Sequence, residues 1–161
     1  MQVHNHLSEI HSPPTKYGSC VTIGSTDAFS KVLTLLDGDS VIFDEYAYGT
    51  AVSVCRTYGR TGIGVKMDAN GMIPQDLRVQ TLSSRDKGLN PDVVYLVPVA
   101  QNPTGISMSP TRKEEIYRVC QDLDLMIVED DAYYYLYHGK EFGVSDSYQD
   151  SAMPGLQSLP R

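Results

Sequence analysis

The 161-residue chain has no tryptophan and only three phenylalanines, against eleven tyrosines. A tyrosine is costly in a purely apolar interior because its hydroxyl needs a partner, so some of the eleven are expected to line a polar cleft. Cysteine is also scarce. Cys20, Cys55 and Cys120 are odd in number and far apart, which excludes a disulfide framework and suits a reducing compartment such as the cytoplasm. Basic charge is in short supply. With 13 Lys plus Arg against 20 Asp plus Glu the formal net charge is −7, so the chain gains nothing from counterion release and no nucleic-acid partner is expected. No apolar run approaches the ~18 residues of a membrane span, and no membrane partner is expected. No basic-then-apolar N-terminal segment reads as a signal peptide. What is present is 41% hydrophobic and 20% charged residues, a composition able to bury the core of one domain at the usual ~100–200 residues.

Residues 1–17 are polar and His-bearing and are expected to form a short helix or a loose arm. The tail over 145–161, rich in Ser, Gln and Pro, reads as loop. Between them strands and helices alternate. Residues 20–23 read as a short strand stopped by Gly24. Phe29, Val32, Leu33 and Leu36 then make the i, i+3, i+4, i+7 stripe of a helix. Val41-Ile42-Phe43 is a strand, and 49–58 fits helix and strand equally. Residues 62–67 read as strand, 68–71 as a turn, and Pro74 suits the first position of a helix reaching about Leu82. Residues 93–97 form a continuous apolar strand. Ser109-Pro110 is an N-cap followed by a first-turn proline. Ile116, Val119, Cys120 and Leu123 repeat the helical stripe, with Glu114 and Arg118 paired at i, i+4. Residues 125–128 are another apolar strand. Uninterrupted apolar strands separated by helices predict an α/β fold, a three-layer structure with a mostly parallel sheet covered on both faces. Right-handed crossovers put all the strands' carboxyl ends on one edge, where such sheets bind ligands.

The residues after each strand are therefore the informative ones. They are Gly24-Ser25-Thr26, Asp44-Glu45-Tyr46-Ala47-Tyr48, Asn102-Pro103-Thr104-Gly105 and Glu129-Asp130-Asp131-Ala132-Tyr133-Tyr134-Tyr135. Gly24-Ser25-Thr26 at a helix start offers hydroxyls and unpaired N–H groups to an anion, or is an ordinary Ser/Thr cap. It matches neither the P-loop nor the Gly-x-Gly-x-x-Gly fingerprint. Three carboxylates at the end of a buried strand call for an offsetting cation: a metal, an arginine or a protonated heterocycle. A metal finds little support, because His138 is the only nearby imidazole and no ligand spacing repeats. His4, His6 and His11 fit a surface metal site or, more simply, solvated side chains.

Together and in this order, the four stretches resemble the fold-type-I pyridoxal-phosphate aminotransferases of class I and II. The likeness is greatest to the fungal members of the aromatic, kynurenine and 2-aminoadipate branch. Asn102-Pro103-Thr104-Gly105 with an Asp-x-x-Tyr beginning at Asp130 keeps the whole intervening helix and strand in register. The resemblance implies that pyridoxal 5'-phosphate is the cofactor. Ser25 and Thr26 would hold its phosphate, Tyr48 would stack on its ring, and Asn102 and Tyr133 would hydrogen-bond its 3-hydroxyl. Asp130 would pair with the ring nitrogen, supplying a protonated heterocycle to the carboxylates. Asp131 to Tyr134 has the same spacing but is one residue out of register with Asn102.

The family also uses a lysine, in a Ser-x-Ser-Lys-like motif, that forms an imine with the cofactor. None of Lys16, Lys31, Lys66, Lys87, Lys113 and Lys140 lies in such a motif. The turn Leu36-Asp37-Gly38-Asp39 is shorter than the family's usual connection. The expectation is an incomplete large domain over 18–144, flanked by the 1–17 arm and the 145–161 tail. Its strand edges near 93–97 and 125–128 would be open to association. The implied activity is transfer of an α-amino group between an aromatic or 2-aminoadipate-like amino acid and a 2-oxo acid, with a homodimer for the intact family enzyme and no catalytic residue in this chain itself. Two other readings are a catalytically inactive remnant and a ligand-binding module of the same fold. The second of these would need a basic helix-turn-helix segment upstream.

Overall fold

The computed structural model describes residues 2–11 and 16–134. Alternation along the strands decides which helix each sheet face receives. In β1 (Ser40–Asp44), Val41 and Phe43 point to one side and Ile42 to the other. In β5 (Pro91–Leu96), Val93 and Tyr95 share the first side, Val94 and Leu96 the second. The first face is covered by α2 (Ser25–Leu35) and α3 (Gly49–Thr57), through Phe29, Leu33, Ala51 and Cys55. The second is covered by α4 (Pro74–Asp86) and α5 (Pro110–Asp122), through Leu77, Ile116, Val119 and Cys120. Fully burying each of the Phe, Leu, Ile and Val side chains among these contributes about 1.5–3 kcal/mol, enough to hold both helical layers to the sheet.

The sheet is parallel throughout, in the order β2-β1-β5-β6, with β2 at Thr61–Val65 and β6 at Met126–Glu129. From β1 the chain crosses by α3 to β2 on one flank, then by α4 to β5 on the other. Strand order thus reverses around β1 and β5, and a crevice opens where their carboxyl ends diverge. A two-stranded hairpin, β3 (Met67–Asp68) with β4 (Gly71–Met72), sits between β2 and α4. Arg112 fastens it to α5 by donating to both Asp68 carboxylate oxygens at 2.9 Å and to Met72 O at 2.9 Å.

Three expectations are corrected. The strand over 20–23 is absent: residues 16–22 have no regular structure, and Val21 and Ile23 are 77% and 97% exposed. A strand exists by pairing, and no described strand pairs with residues 20–23. Residues 93–97 are no open edge, because β5 runs between β1 and β6. The 62–67 run divides at Lys66 into β2 and β3. The ambiguous 49–58 segment is α3, since Ala51 and Cys55, four apart, both reach the core. The 1–17 arm contains α1 (Gln2–His11), which packs His4 on Tyr17 with ring centroids 4.5 Å apart. The tail over 145–161, Tyr135, His138 and Lys140 lie outside the described residues.

Candidate functional site

Three chain segments leave strands at the carboxyl edge, the start of α2 lies beside them, and a cleft of ≈ 140 Å³ lies among the four. The start of α2 contributes Ser25, the β1 exit Tyr48, the β5 exit Val97 and Asn102, and the β6 exit Asp130, Ala132 and Tyr133. Five of the six residues expected to bind a cofactor therefore face one space. Thr26 does not line it and is exposed. Successive helical residues point about 100° apart, so Ser25 and Thr26 cannot both face the same cleft squarely.

The helix start is built by glycine rather than by a hydroxyl cap. Gly24 is the N-cap of α2 with φ 149°, a conformation that L side chains rarely adopt, and no described side chain caps the helix. The Ser/Thr-cap reading is thereby overturned. The first-turn N–H groups of α2 have no partner within the helix, and its start carries the partial positive charge of the dipole.

Asp130 is placed by backbone and by side chain. Its N–H donates to Leu96 O at 2.8 Å, carrying the β5–β6 ladder one step past the strand end. Its Oδ2 accepts from the Tyr95 hydroxyl at 2.6 Å. Burial, then the facing Asp130 carboxylate, pushes the Tyr95 phenol far above its ordinary range, so that hydroxyl stays a donor. Tyr95 was not singled out from the sequence, although a tyrosine inside an aliphatic run signals a hydroxyl seeking a partner. Asp131 does not line the cleft. Burial raises its carboxyl pKa, with the charges of Lys113 and His11 acting against the rise. Lys113, buried in α5, is depressed to about 8 by burial against the pull of Glu129 and Asp131. The cation that the acidic run requires is thus supplied in part by a lysine from the adjoining helix.

Gln101 was also missed. It is 3% exposed, and its Nε2 donates to Asp44 Oδ2 at 3.3 Å and to Tyr46 O, while its Oε1 accepts from Thr104 N at 2.9 Å and Thr104 Oγ1 at 2.6 Å. The only sequence signal was its position directly before Asn102. Asp44, at the end of β1, is 4% exposed, and its Oδ1 has no hydrogen-bond partner among the described residues. Burial raises its pKa to about 6, assisted by Glu45 and opposed by the Gln101 N–H. Between about pH 4 and pH 6 the unfolded chain ionises Asp44 while the folded one keeps it protonated, so stability falls as pH rises through that window. Asp44→Asn keeps an oxygen for Gln101 and removes the buried charge. It is expected to match the wild type near pH 4 and to exceed it by roughly 2–3 kcal/mol at pH 7. Urea unfolding at the two pH values checks this, and a variant less stable than wild type at pH 7 contradicts it.

The family model for aminotransferase class I and II matches residues 8–156. Aminotransferase swnA of Metarhizium robertsii is 34% identical over 139 residues, which cover 83% of this chain and 28% of that protein. The mitochondrial kynurenine/alpha-aminoadipate aminotransferase of Bos taurus is 32% identical over 149 residues, 82% of this chain and 35% of that protein. Among solved structures, the aminotransferase Aro8 from Candida albicans superposes with a TM-score of 0.77 at 28% identity, covering 99% of this chain and 34% of that one. The chain thus spans about a quarter to a third of the length of the relatives it matches.

Proposed function

Because the chain belongs to the class I and II aminotransferases, we propose that the cleft between Ser25 and Tyr133 is a pyridoxal-phosphate pocket. The whole protein would transfer an α-amino group from an aromatic or 2-aminoadipate-like amino acid to a 2-oxo acid. The observation that supports this best is the meeting of Ser25, Tyr48, Asn102, Asp130 and Tyr133, drawn from four separate chain segments, on one cleft at the sheet's switch point. The donor set suits a phosphorylated pyridine: a helix start for the dianion, an aromatic ring for the heterocycle, a carboxamide and a phenol for the ring oxygen, and a carboxylate for a protonated nitrogen.

In this reading Ser25 and the first-turn N–H groups of α2 hold the phosphate. Tyr48 covers one ring face, and Asn102 and Tyr133 hydrogen-bond the 3-oxygen. Asp130 keeps the proton on the ring nitrogen, with Tyr95 occupying Oδ2 and orienting the carboxylate. When bound, the cofactor supplies an electron sink for the pair released as the substrate's α-proton leaves. The relatives' names include aromatic, tyrosine and kynurenine/alpha-aminoadipate aminotransferases, which supports the substrate class proposed.

Titration of the 161-residue chain with pyridoxal phosphate, followed by absorbance and protein fluorescence, tests the pocket. Saturable binding that inorganic phosphate displaces is expected. Asp130→Asn is expected to weaken it on the order of 10–100-fold, the worth of one hydrogen bond to a charged group, and to lose the protonated-ring absorbance. Asp131→Asn is expected to do less, because it does not line the cleft. Absence of saturable binding overturns the reading, and an Asp131→Asn variant more damaging than Asp130→Asn reverses the assignment of the two carboxylates.

A further inference from the structure

A primary carboxamide has two N–H donors and two acceptor lone pairs. The Gln101 side chain uses all four in a buried site: both donors go to Asp44 Oδ2 and Tyr46 O, and both lone pairs take the Thr104 N–H and hydroxyl. The pattern also orients the amide, because the two acceptors lie on one side and the two donors on the other. These four groups come from two different walls of the cleft. Asp44 and Tyr46 lead from β1 to Tyr48, the N-cap of α3. Thr104 belongs to the turn that presents Asn102, which closes on itself through Gln101 N donating to Ile106 O at 2.8 Å and Gly105 N donating to Gln101 O. Tyr48 and Asn102 both line the cleft, and Gln101 does not.

The geometry points to Gln101 as a positioning residue: its buried carboxamide clamps the Asn102 turn to the β1 exit and so sets Asn102 and Tyr48 at a fixed separation across the cleft. The inference rests on the cofactor reading for its consequence, though not for its geometry. No common substitute reproduces the clamp. Leucine fills the space and makes none of the four bonds. Asparagine is one methylene shorter. Glutamate keeps the acceptors for Thr104 but, when ionised, presents a carboxylate to Asp44 and to the carbonyl of Tyr46, with the Glu45 charge adjacent in sequence. Protonated, glutamate regains one donor.

The test uses the 161-residue chain, with pyridoxal phosphate as the probe, at about pH 8 and about pH 5.5, on either side of the range where a buried carboxyl titrates. Each variant is compared with wild type at the same pH. Gln101→Leu is expected to bind on the order of 10-fold more weakly at both pH values, the effect of leaving buried polar groups unpaired. Gln101→Glu is expected to be at least as weak near pH 8 and to recover to within a few-fold of wild type near pH 5.5. A residue that merely fills space gives no such pH split. Amide hydrogen exchange without cofactor is the second arm: the Thr104 N–H is expected to exchange about 10-fold faster in Gln101→Leu, with amides in β5 unchanged. Wild-type binding retained in both variants at both pH values overturns the clamp and leaves the cofactor reading standing. A wild-type chain that binds no pyridoxal phosphate overturns the cofactor reading, and the clamp then stands or falls on the exchange arm, where unchanged Thr104 protection overturns it.

Discussion

Supplied with pyridoxal phosphate, an aromatic amino donor and a 2-oxo acid, the 161-residue chain by itself is expected to bind the cofactor and to show no turnover. The described residues around the cleft can hold and orient a ligand, but none of them is a lysine. Lys31 is paired with Asp27 on α2. Lys113 is buried in α5 among the charges of Glu129 and Asp131. Lys16, Lys66 and Lys87 are exposed and line no part of the cleft. Lys140 lies outside the described residues. A positioned general base is worth about 10²–10⁴-fold, so orientation without it leaves amino transfer below detection. Borohydride reduction of the mixture followed by peptide mass mapping, alongside an assay of the 2-oxo acid product, measures both halves. Scattered substoichiometric labelling without product is the expected result. Stoichiometric labelling of one lysine together with turnover would show that one of the six takes the catalytic part, and would overturn the expectation.

Arg60→Met is expected to destabilise the fold by about 3 kcal/mol, the low end for breaking a buried ion pair, since Asp92 keeps some solvent contact. At the amino edge of the sheet, opposite the cleft, the Arg60 side chain is 6% exposed, and its guanidinium donates to Asp92 Oδ1 at 3.0 Å and to Leu33 O at 2.9 Å. It also donates to Leu36 O, so that one side chain satisfies two carbonyls at the C-terminus of α2. Asp92 in turn accepts from Gly38 N at 2.6 Å. That approach needs glycine: a Cβ on Gly38 would lie 2.1 Å from the Asp92 carboxyl carbon. Methionine fills the space left by the arginine stem and leaves the carboxylate and both carbonyls without it. Adding Asp92→Asn removes the stranded charge while keeping an acceptor for Gly38, and is expected to recover part of the loss. Urea unfolding of the single and double variants measures this. A single variant within about 0.5 kcal/mol of wild type, the range of ordinary surface changes, would show that the pair contributes little.

The helices α2, α4 and α5 and the strands β1, β5 and β6 were legible in the chain, because each carries its own periodicity and its own stop signal within a few residues. Ser109 capping Arg112 N–H and Pro110 opening α5 are local events that need no partner. Residues 20–23 show the limit of that reasoning. They are as β-prone as Val41-Ile42-Phe43, but a strand needs a neighbour, and whether one arrives is not written in the segment itself. Sequence order alone also placed Tyr48, Asn102, Asp130 and Tyr133 after strands that form, and parallel crossovers then require them to share an edge. Ser25 was expected behind the 20–23 strand, which does not form, so its place beside them was decided by the packing of α2. The tertiary structure decided what spacing cannot carry. It put β5 inside the sheet, turned Ser25 rather than Thr26 into the cleft, brought the Tyr95 hydroxyl to Asp130 and Lys113 beside Asp131, and set the Gln101 carboxamide between two walls of the site. The contacts Lys113–Asp131, Tyr95–Asp130 and Gln101–Asp44 join groups 18, 35 and 57 residues apart along the chain. Contacts at such range arise only when packing selects which elements meet, whereas period, cap and turn are settled between residues that already touch.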